Sequence, residues 1–104
     1  MTEPPSTVGS AKVICYTFVD GRHTPTGNCE QIVAGVLQGP AQGLAICQYK
    51  GEDAFYLFGC DAEWNTVTDT WHETLDDAMD QAEFEYSGVS KTWRFETSGK
   101  ERDL

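Results

Sequence analysis

Two apolar runs separated by a short polar turn set the frame for this chain. Residues 44–49 (LAICQY) and 54–60 (AFYLFGC) flank Lys50-Gly51-Glu52-Asp53. A short polar stretch containing Gly, placed between runs rich in aliphatic and aromatic residues, is the signal of a β-hairpin. Phe55, Tyr56, Leu57 and Phe58 are consecutive and all apolar. Successive strand residues point to opposite faces, so this strand is expected to be covered on both sides. Residues 61–65 (DAEWN) read as a second reversal, and 66–71 (TVTDTW) as a third, β-branched strand. Strands that follow one another through short turns form an antiparallel meander.

The flanking chain adds less regular pieces. Residues 1–10 (MTEPPSTVGS) are rich in Pro, Ser and Thr and are expected to be disordered. Residues 12–20 (KVICYTFVD) read as a strand by their β-branched and aromatic content. Residues 21–28 (GRHTPTGN) read as a loop. Residues 31–38 (QIVAGVLQ) fit either a strand or a helix and are assigned here as a strand, ended by Gly39-Pro40. Residues 92–96 (TWRFE) alternate, which puts Trp93 and Phe95 together on a further short strand, and 98–104 form a polar tail. One domain over 11–97 follows, and there is no internal repeat.

A helix is expected over residues 75–87. Thr74 is placed to cap it, and Asp77, three residues on, stands in for the Glu of a capping box. At about 100° per residue, Leu75, Ala78, Met79, Ala82 and Tyr86 share one stripe, the face that should lie on the sheet. Ser87-Gly88 should end the helix, with Gly88 left-handed. The fold class is therefore α+β: one antiparallel sheet of four or five strands with one main C-terminal helix packed on it.

The outer face of this helix is unusual. It carries Asp76, Asp77, Asp80, Glu83 and Glu85, with no Lys or Arg. Asp76 and Asp77 suit the positive end of the helix dipole, but Glu83 and Glu85 face the negative end. The pairs Asp76–Asp80, Asp77–Asp80 and Asp80–Glu83 are like-charged neighbours, each costing about 0.2–0.5 kcal/mol. Phe84 lies about 180° from Leu75 on the wheel, among these acids. Either Trp93, Arg94 or Phe95 folds back over Phe84, or Phe84 is a lone exposed aromatic, or Asp77, Asp80, Glu83 and Phe84 make an aromatic anchor ringed by acids.

Charge is distributed in blocks. Residues 51–90 hold eleven Asp and Glu and no Lys or Arg, whereas residues 1–50 balance to zero and residues 91–104 to +1, giving the net charge of -10. Such a field repels nucleic-acid phosphates and anionic lipid and favours basic partners; a plainly solvated surface is the simpler use of it. No run is long and apolar enough to span a membrane. Residues 1–10 lack the basic and apolar regions of a secretory signal, so a cytoplasmic location is expected. Cys15, Cys29, Cys47 and Cys60 form no close pair, which reads as reduced, mostly buried thiols rather than a zinc site.

Signatures of catalysis are missing. The chain has no dinucleotide-binding or phosphate-loop glycine pattern and no nucleophile elbow. His23 with Cys29 six residues on reads as two loop residues rather than a nucleophile pair. Asp61, Glu63, Asn65, Val67 and Asp69 mimic calcium-loop spacing, but Thr66 occupies the glycine position and His72 that of the bidentate Glu. No catalytic residue, cofactor or metal is expected. The remaining site for chemistry is a pocket between sheet and helix formed by Cys60, Trp71 and His72.

The stretch FYLFGCDAEWNTVTDTWHETLDDAMDQAEFEY, residues 55–86, resembles a group of short bacterial proteins of uncharacterised function, which share a strand–strand–helix unit closing in T-L-x-x-A-x-x-Q-A-E-F-E-Y. The resemblance implies that fold unit and no activity. In outline, a meander followed by a Thr-capped helix is also similar to antitoxin-like and immunity-protein folds, an analogy of fold alone. Together these readings lead to a non-enzymatic protein-binding or regulatory module, of an immunity-like kind, that offers its acidic helix face to a basic protein. A homodimer through Phe84 or a sheet edge, and a small-molecule binder or enzyme using the His72 pocket, are the alternatives.

Overall fold

The computed structural model describes residues 2–21, 23–26, 32–33, 36–37 and 40–96. Its elements in chain order are β1 (Thr7–Val8), β2 (Ala11–Phe18), β3 (Thr24–Pro25), β4 (Ile32–Val33), β5 (Val36–Leu37), β6 (Gly43–Gln48), β7 (Phe55–Cys60), β8 (Thr66–His72), α1 (Leu75–Glu85), β9 (Tyr86–Ser87), a 3-10 turn (Val89–Lys91) and β10 (Arg94–Phe95). The main sheet is antiparallel, in the order β1-β2-β6-β7-β8, with β10 also paired to β2. This is the α+β architecture of a meander and a C-terminal helix.

The hairpin turn behaves as its residues dictate. The Glu52 N–H donates to the Tyr49 carbonyl at 3.1 Å, and Gly51 takes φ 83°, a conformation only Gly adopts without strain. β7 is covered on both faces, as its unbroken apolar run requires. Phe55 and Leu57 pack towards α1, whereas Tyr56, Phe58 and Cys60 pack on the opposite side. On the helix side, Ala78, Ala82 and Tyr86 are buried, with Leu75 and Met79 packed beside them. Thr74 caps α1 by accepting the Asp77 N–H at 3.0 Å.

The second face is closed by a segment that looked too polar to fold. Residues 1–10 were expected to be disordered, but Thr7–Val8 pairs with β2, Thr7 opposite Lys12 and Val8 opposite Ala11. Gly9 and Ser10 take φ 57° and 71°, the left-handed geometry of a two-residue hairpin turn. Val8 and Trp64 are buried there, and the Trp64 indole N–H donates to the Thr2 carbonyl at 2.8 Å. Trp64 adopts φ 65°, disfavoured for a bulky residue. The Asp61 carboxylate holds that turn by accepting the Glu63 and Asn65 N–H groups, both at 2.9 Å.

Other boundaries also shift. α1 stops at Glu85 rather than at 87, because Tyr86 and Ser87 pair with Pro25 and Thr24 as β9 and β3. Gly88 is left-handed at φ 103°, but it opens the 3-10 turn and is not the helix C′ residue. Residues 31–38 do not form one strand: Ile32 pairs with Leu37 and Val33 with Val36. A bulge at Ile14 shifts the phase of β2 between Val13 and Cys15. Trp93 packs towards the helix-side core while Phe95 is exposed, so the two do not form one patch. The tail 98–104, Cys29, residues 22, 27 and 28 of the loop, and residues 31, 34, 35 and 38 lie outside the described residues. Among the described residues, no helix is long and apolar enough to cross a membrane.

Candidate functional site

The acids of α1 divide into two kinds. Asp77 is exposed, but its Oδ2 lies 2.9 Å from the buried His72 Nδ1. Glu83 folds back over the end of the helix, accepting the Gly88 N–H at 2.9 Å and the Ser90 N–H at 3.0 Å. Those two backbone donors, Gly88 first, hold its carboxyl below the usual carboxylate range. Glu85 is buried and accepts from the Gln81 amide at 2.8 Å. Asp76 and Asp80 are solvent-exposed, as is the rest of the Asp77 side chain. The like-charge crowding is therefore offset by separate partners for Asp77, Glu83 and Glu85.

Phe84 is 56% exposed, as the wheel placed it. Its backbone carbonyl accepts from the Thr26 hydroxyl at 2.6 Å, and the Glu85 carbonyl accepts from the Thr26 N–H at 3.0 Å. The 24–26 loop thus satisfies carbonyls that the last helical turn leaves open. Of the four residues read as an acidic ring with an aromatic centre, Asp77 and Glu83 have structural duties, and Asp80 and Phe84 face outward.

Cys60, Trp71 and His72 do not converge. His72 reaches α1, so it lies on the helix side of β8, and Trp71 as its chain neighbour points to the other side. Cys60 is wholly buried in the core on that other side, beside Phe58 and Trp64. Burial pushes its thiol up to about 12, and does the same for Cys15 and Cys47, which leaves all three unreactive at neutral pH.

His72 does belong to a constellation that the sequence reading missed. Its Nε2 lies 2.7 Å from Thr70 Oγ1, while Nδ1 faces Asp77. A carboxylate only accepts, so Nδ1 carries the proton, and with Nε2 bare the Thr70 hydroxyl donates to it. The order hydroxyl, imidazole, carboxylate is that of a nucleophile relay. Here the relay spans the strand-to-helix corner, with its imidazole buried, and the nearby Asp77 N–H is already taken by Thr74. His23 has a similar chain: Nε2 is 3.0 Å from Thr92 Oγ1, itself 2.6 Å from Thr17 Oγ1. The spacing Thr70-x-His72, followed by an acid in the first helical turn, was the available signal for the first of these.

Besides Phe84, two exposed apolar groups near the acids are on β8. Trp71 is 56% and Val67 42% exposed, with exposed Asp69 between them. β7 pairs with one side of β8, and no described residue pairs with the other. Across the sheet, β2 and its partner β10 carry Lys12 and Arg94, so the two edges differ in charge. A separate cleft of about 740 Å³ lies at the hairpin end, lined by Lys12, Tyr49, Lys50, Glu52 and Glu96 among others. Its mixed charges select no ligand class, and it contains none of the residues singled out from the sequence. No group of three or more His, Cys, Asp or Glu among the described residues is placed to hold a metal ion.

Compared with protein-family models, with curated proteins and with solved structures, the chain finds no match.

Proposed function

We propose that this protein is a non-enzymatic binding module that engages a basic protein partner through its β8 and α1 side. The observation that carries the reading is the block of residues 51–90, with eleven acids and no Lys or Arg. Its elements are neighbours in space, since β7 and β8 end the sheet and α1 packs on them. The contact surface on this reading is Asp69, Trp71, Glu73, Asp76 and Asp80, with Phe84 further along the helix. That revises the helix-only face expected at first, because Asp77 and Glu83 are occupied with internal bonds. An immunity-like role against a basic toxin or nuclease is one form of the proposal, and a cytoplasmic location accompanies it.

Affinity capture on the immobilised protein, compared with an Asp69→Lys/Asp80→Lys variant, tests it. The expected result is a basic protein retained by wild type, released by salt, and then bound directly when purified, with affinity falling about tenfold or more between low and physiological salt. Equal capture by wild type and variant, or binding indifferent to salt, overturns the proposal. The second reading, a catalytic site at Thr70, His72 and Asp77, is favoured by their hydrogen-bond chain. It requires a Thr70 hydroxyl that an acylating or phosphorylating probe labels, and loses that labelling in His72→Gln.

A further inference from the structure

Resting on that reading of a basic partner, we infer that β8 receives an extended, basic segment of the partner as an added strand. β8 runs for seven residues, Thr66–His72, long enough for the main-chain ladder by which a peptide augments a sheet edge. Its outer side is unpaired among the described residues. The bulge at Val67, where Cys60 pairs with Thr66 and Gly59 with Thr68, confines the regular part of the edge to residues 68–72. Along it, Asp69 and Trp71 project from the face away from α1, opposite Phe58 and Tyr56 in the register.

The occupant follows from charge. A second copy would bring its own acid-only block against this one. Antiparallel pairing centred on Asp69 would set Asp69 against its counterpart, and a register centred on Thr70 would leave the two about 7–8 Å apart. Both arrangements are repulsive, so self-pairing is disfavoured while the edge stays open to a strand of opposite sign. In such a strand a Lys or Arg lies across from Asp69, and an apolar or long aliphatic side chain covers Trp71. The five residues Thr68–His72 supply backbone affinity, and those two side chains supply selectivity.

The experiment uses the full chain, labelled with nitrogen-15, and end-blocked seven-residue peptides. One alternates lysine with valine; one alternates glutamate with valine; a third is the lysine peptide with alternate backbone nitrogens methylated. The lysine peptide is expected to shift the Trp71 indole and the amides of residues 68–72 saturably, and to slow their hydrogen exchange about tenfold or more. The glutamate and methylated peptides should not. Asp69→Lys should weaken the lysine peptide about fivefold and admit the glutamate peptide. Equal binding of the methylated and unmethylated lysine peptides, or shifts confined to Asp76 and Asp80, overturns strand addition while leaving the acidic-surface reading in place. No saturable binding of the lysine peptide also overturns strand addition; the basic-partner reading is then judged by the capture experiment alone.

Discussion

The two edges of the main sheet are finished in opposite ways. Along β2, the outer edge is occupied twice: β1 pairs at Lys12 and Ala11, and β10 pairs at Tyr16 and Cys15. Hydrogen bonds from Val13 to Ser6 and from Glu96 to Ile14 extend that cover, at 3.0 and 2.9 Å. Along β8 the described residues provide no such cover, only a bulge at Val67 and a charge at Asp69. Edge strands invite pairing with other chains, and proteins blunt them with partners, bulges or charges. One edge here is closed by the chain itself. Among the described residues, the other has only that bulge and that charge to guard it. On the proposed reading, the less guarded edge is the one that receives a partner.

The largest test of the contrast is to loosen the closed edge. Trp64 packs edge-on to Tyr16 at 6.0 Å between ring centroids and fastens the N-terminal segment through Thr2. Trp64→Ala should cost about 3–5 kcal/mol in urea unfolding and strip exchange protection from the Val13 amide. If that amide stays protected, Trp64 is not what holds the β2 edge closed. Gly59→Ala acts on the other edge. A Cβ at Gly59 would collide with the Thr68 hydroxyl on β8, and Thr is stiff about its first torsion. The expected loss is about 1–3 kcal/mol, with amide shifts centred on residues 66–70; unchanged stability would mean that β8 is free to move away.

Glu83→Gln tests the helix that flanks the bare edge. Removing a charge-assisted acceptor from the Gly88 and Ser90 N–H groups should cost about 1 kcal/mol at neutral pH. The sign of its pH dependence is fixed by the lowered carboxyl of Glu83. A carboxylate whose folded value is depressed contributes fully above its unfolded value, about pH 4, and that contribution is lost as pH falls through the folded value. The gap between wild type and Glu83→Gln should therefore close on acidification, and a gap that widens would refute the assignment. The smallest effect belongs to Trp71→Ala. A side chain exposed this far should change stability by no more than about 0.5 kcal/mol, while weakening the response of the edge to a basic peptide. A larger loss of stability would place Trp71 in the core instead.

Sequence carried the local parts of this fold. The 44–60 hairpin follows from Gly51 and its neighbours, the start of α1 from Thr74, and the buried stripe from Ala78, Ala82 and Tyr86. What it could not carry depends on contacts between distant residues. Thr7 and Val8 sit in a polar stretch and become a strand only because Lys12 and Ala11 offer an edge. Helix geometry permits Tyr86 and Ser87, but pairing with Pro25 and Thr24 draws them away. The same holds for the site. The wheel sets Phe84 on the outer face, but only the fold decides between cover by the following segment and the exposure observed. The bond of Asp77 to His72 and the folding back of Glu83 are not legible there, because a wheel contains neither His72 nor the turn at Gly88. Trp71 was placed with His72 by nearness in sequence, although strand alternation puts them on opposite faces.

The closed edge also has an order of assembly written into it. Cys47 and Tyr56 meet across nine positions of chain, whereas Tyr16 and Arg94 meet across 78. Loop-closure entropy grows with the logarithm of that separation, and the longer closure costs about 2 kcal/mol more. The β6–β8 meander and α1 are thus the part that nucleates cheaply, and β10 is recruited after most of the chain is in place. The same arithmetic applies in reverse during partial opening, where the segment held by the longest loop and only two residue pairs lets go first. A chain in that state shows unpaired backbone along Tyr16 and Cys15 as well as along β8, whose outer side no described residue pairs. For a moment the molecule has two sticky sides, and only one of them carries the acids that turn like-charged strands away.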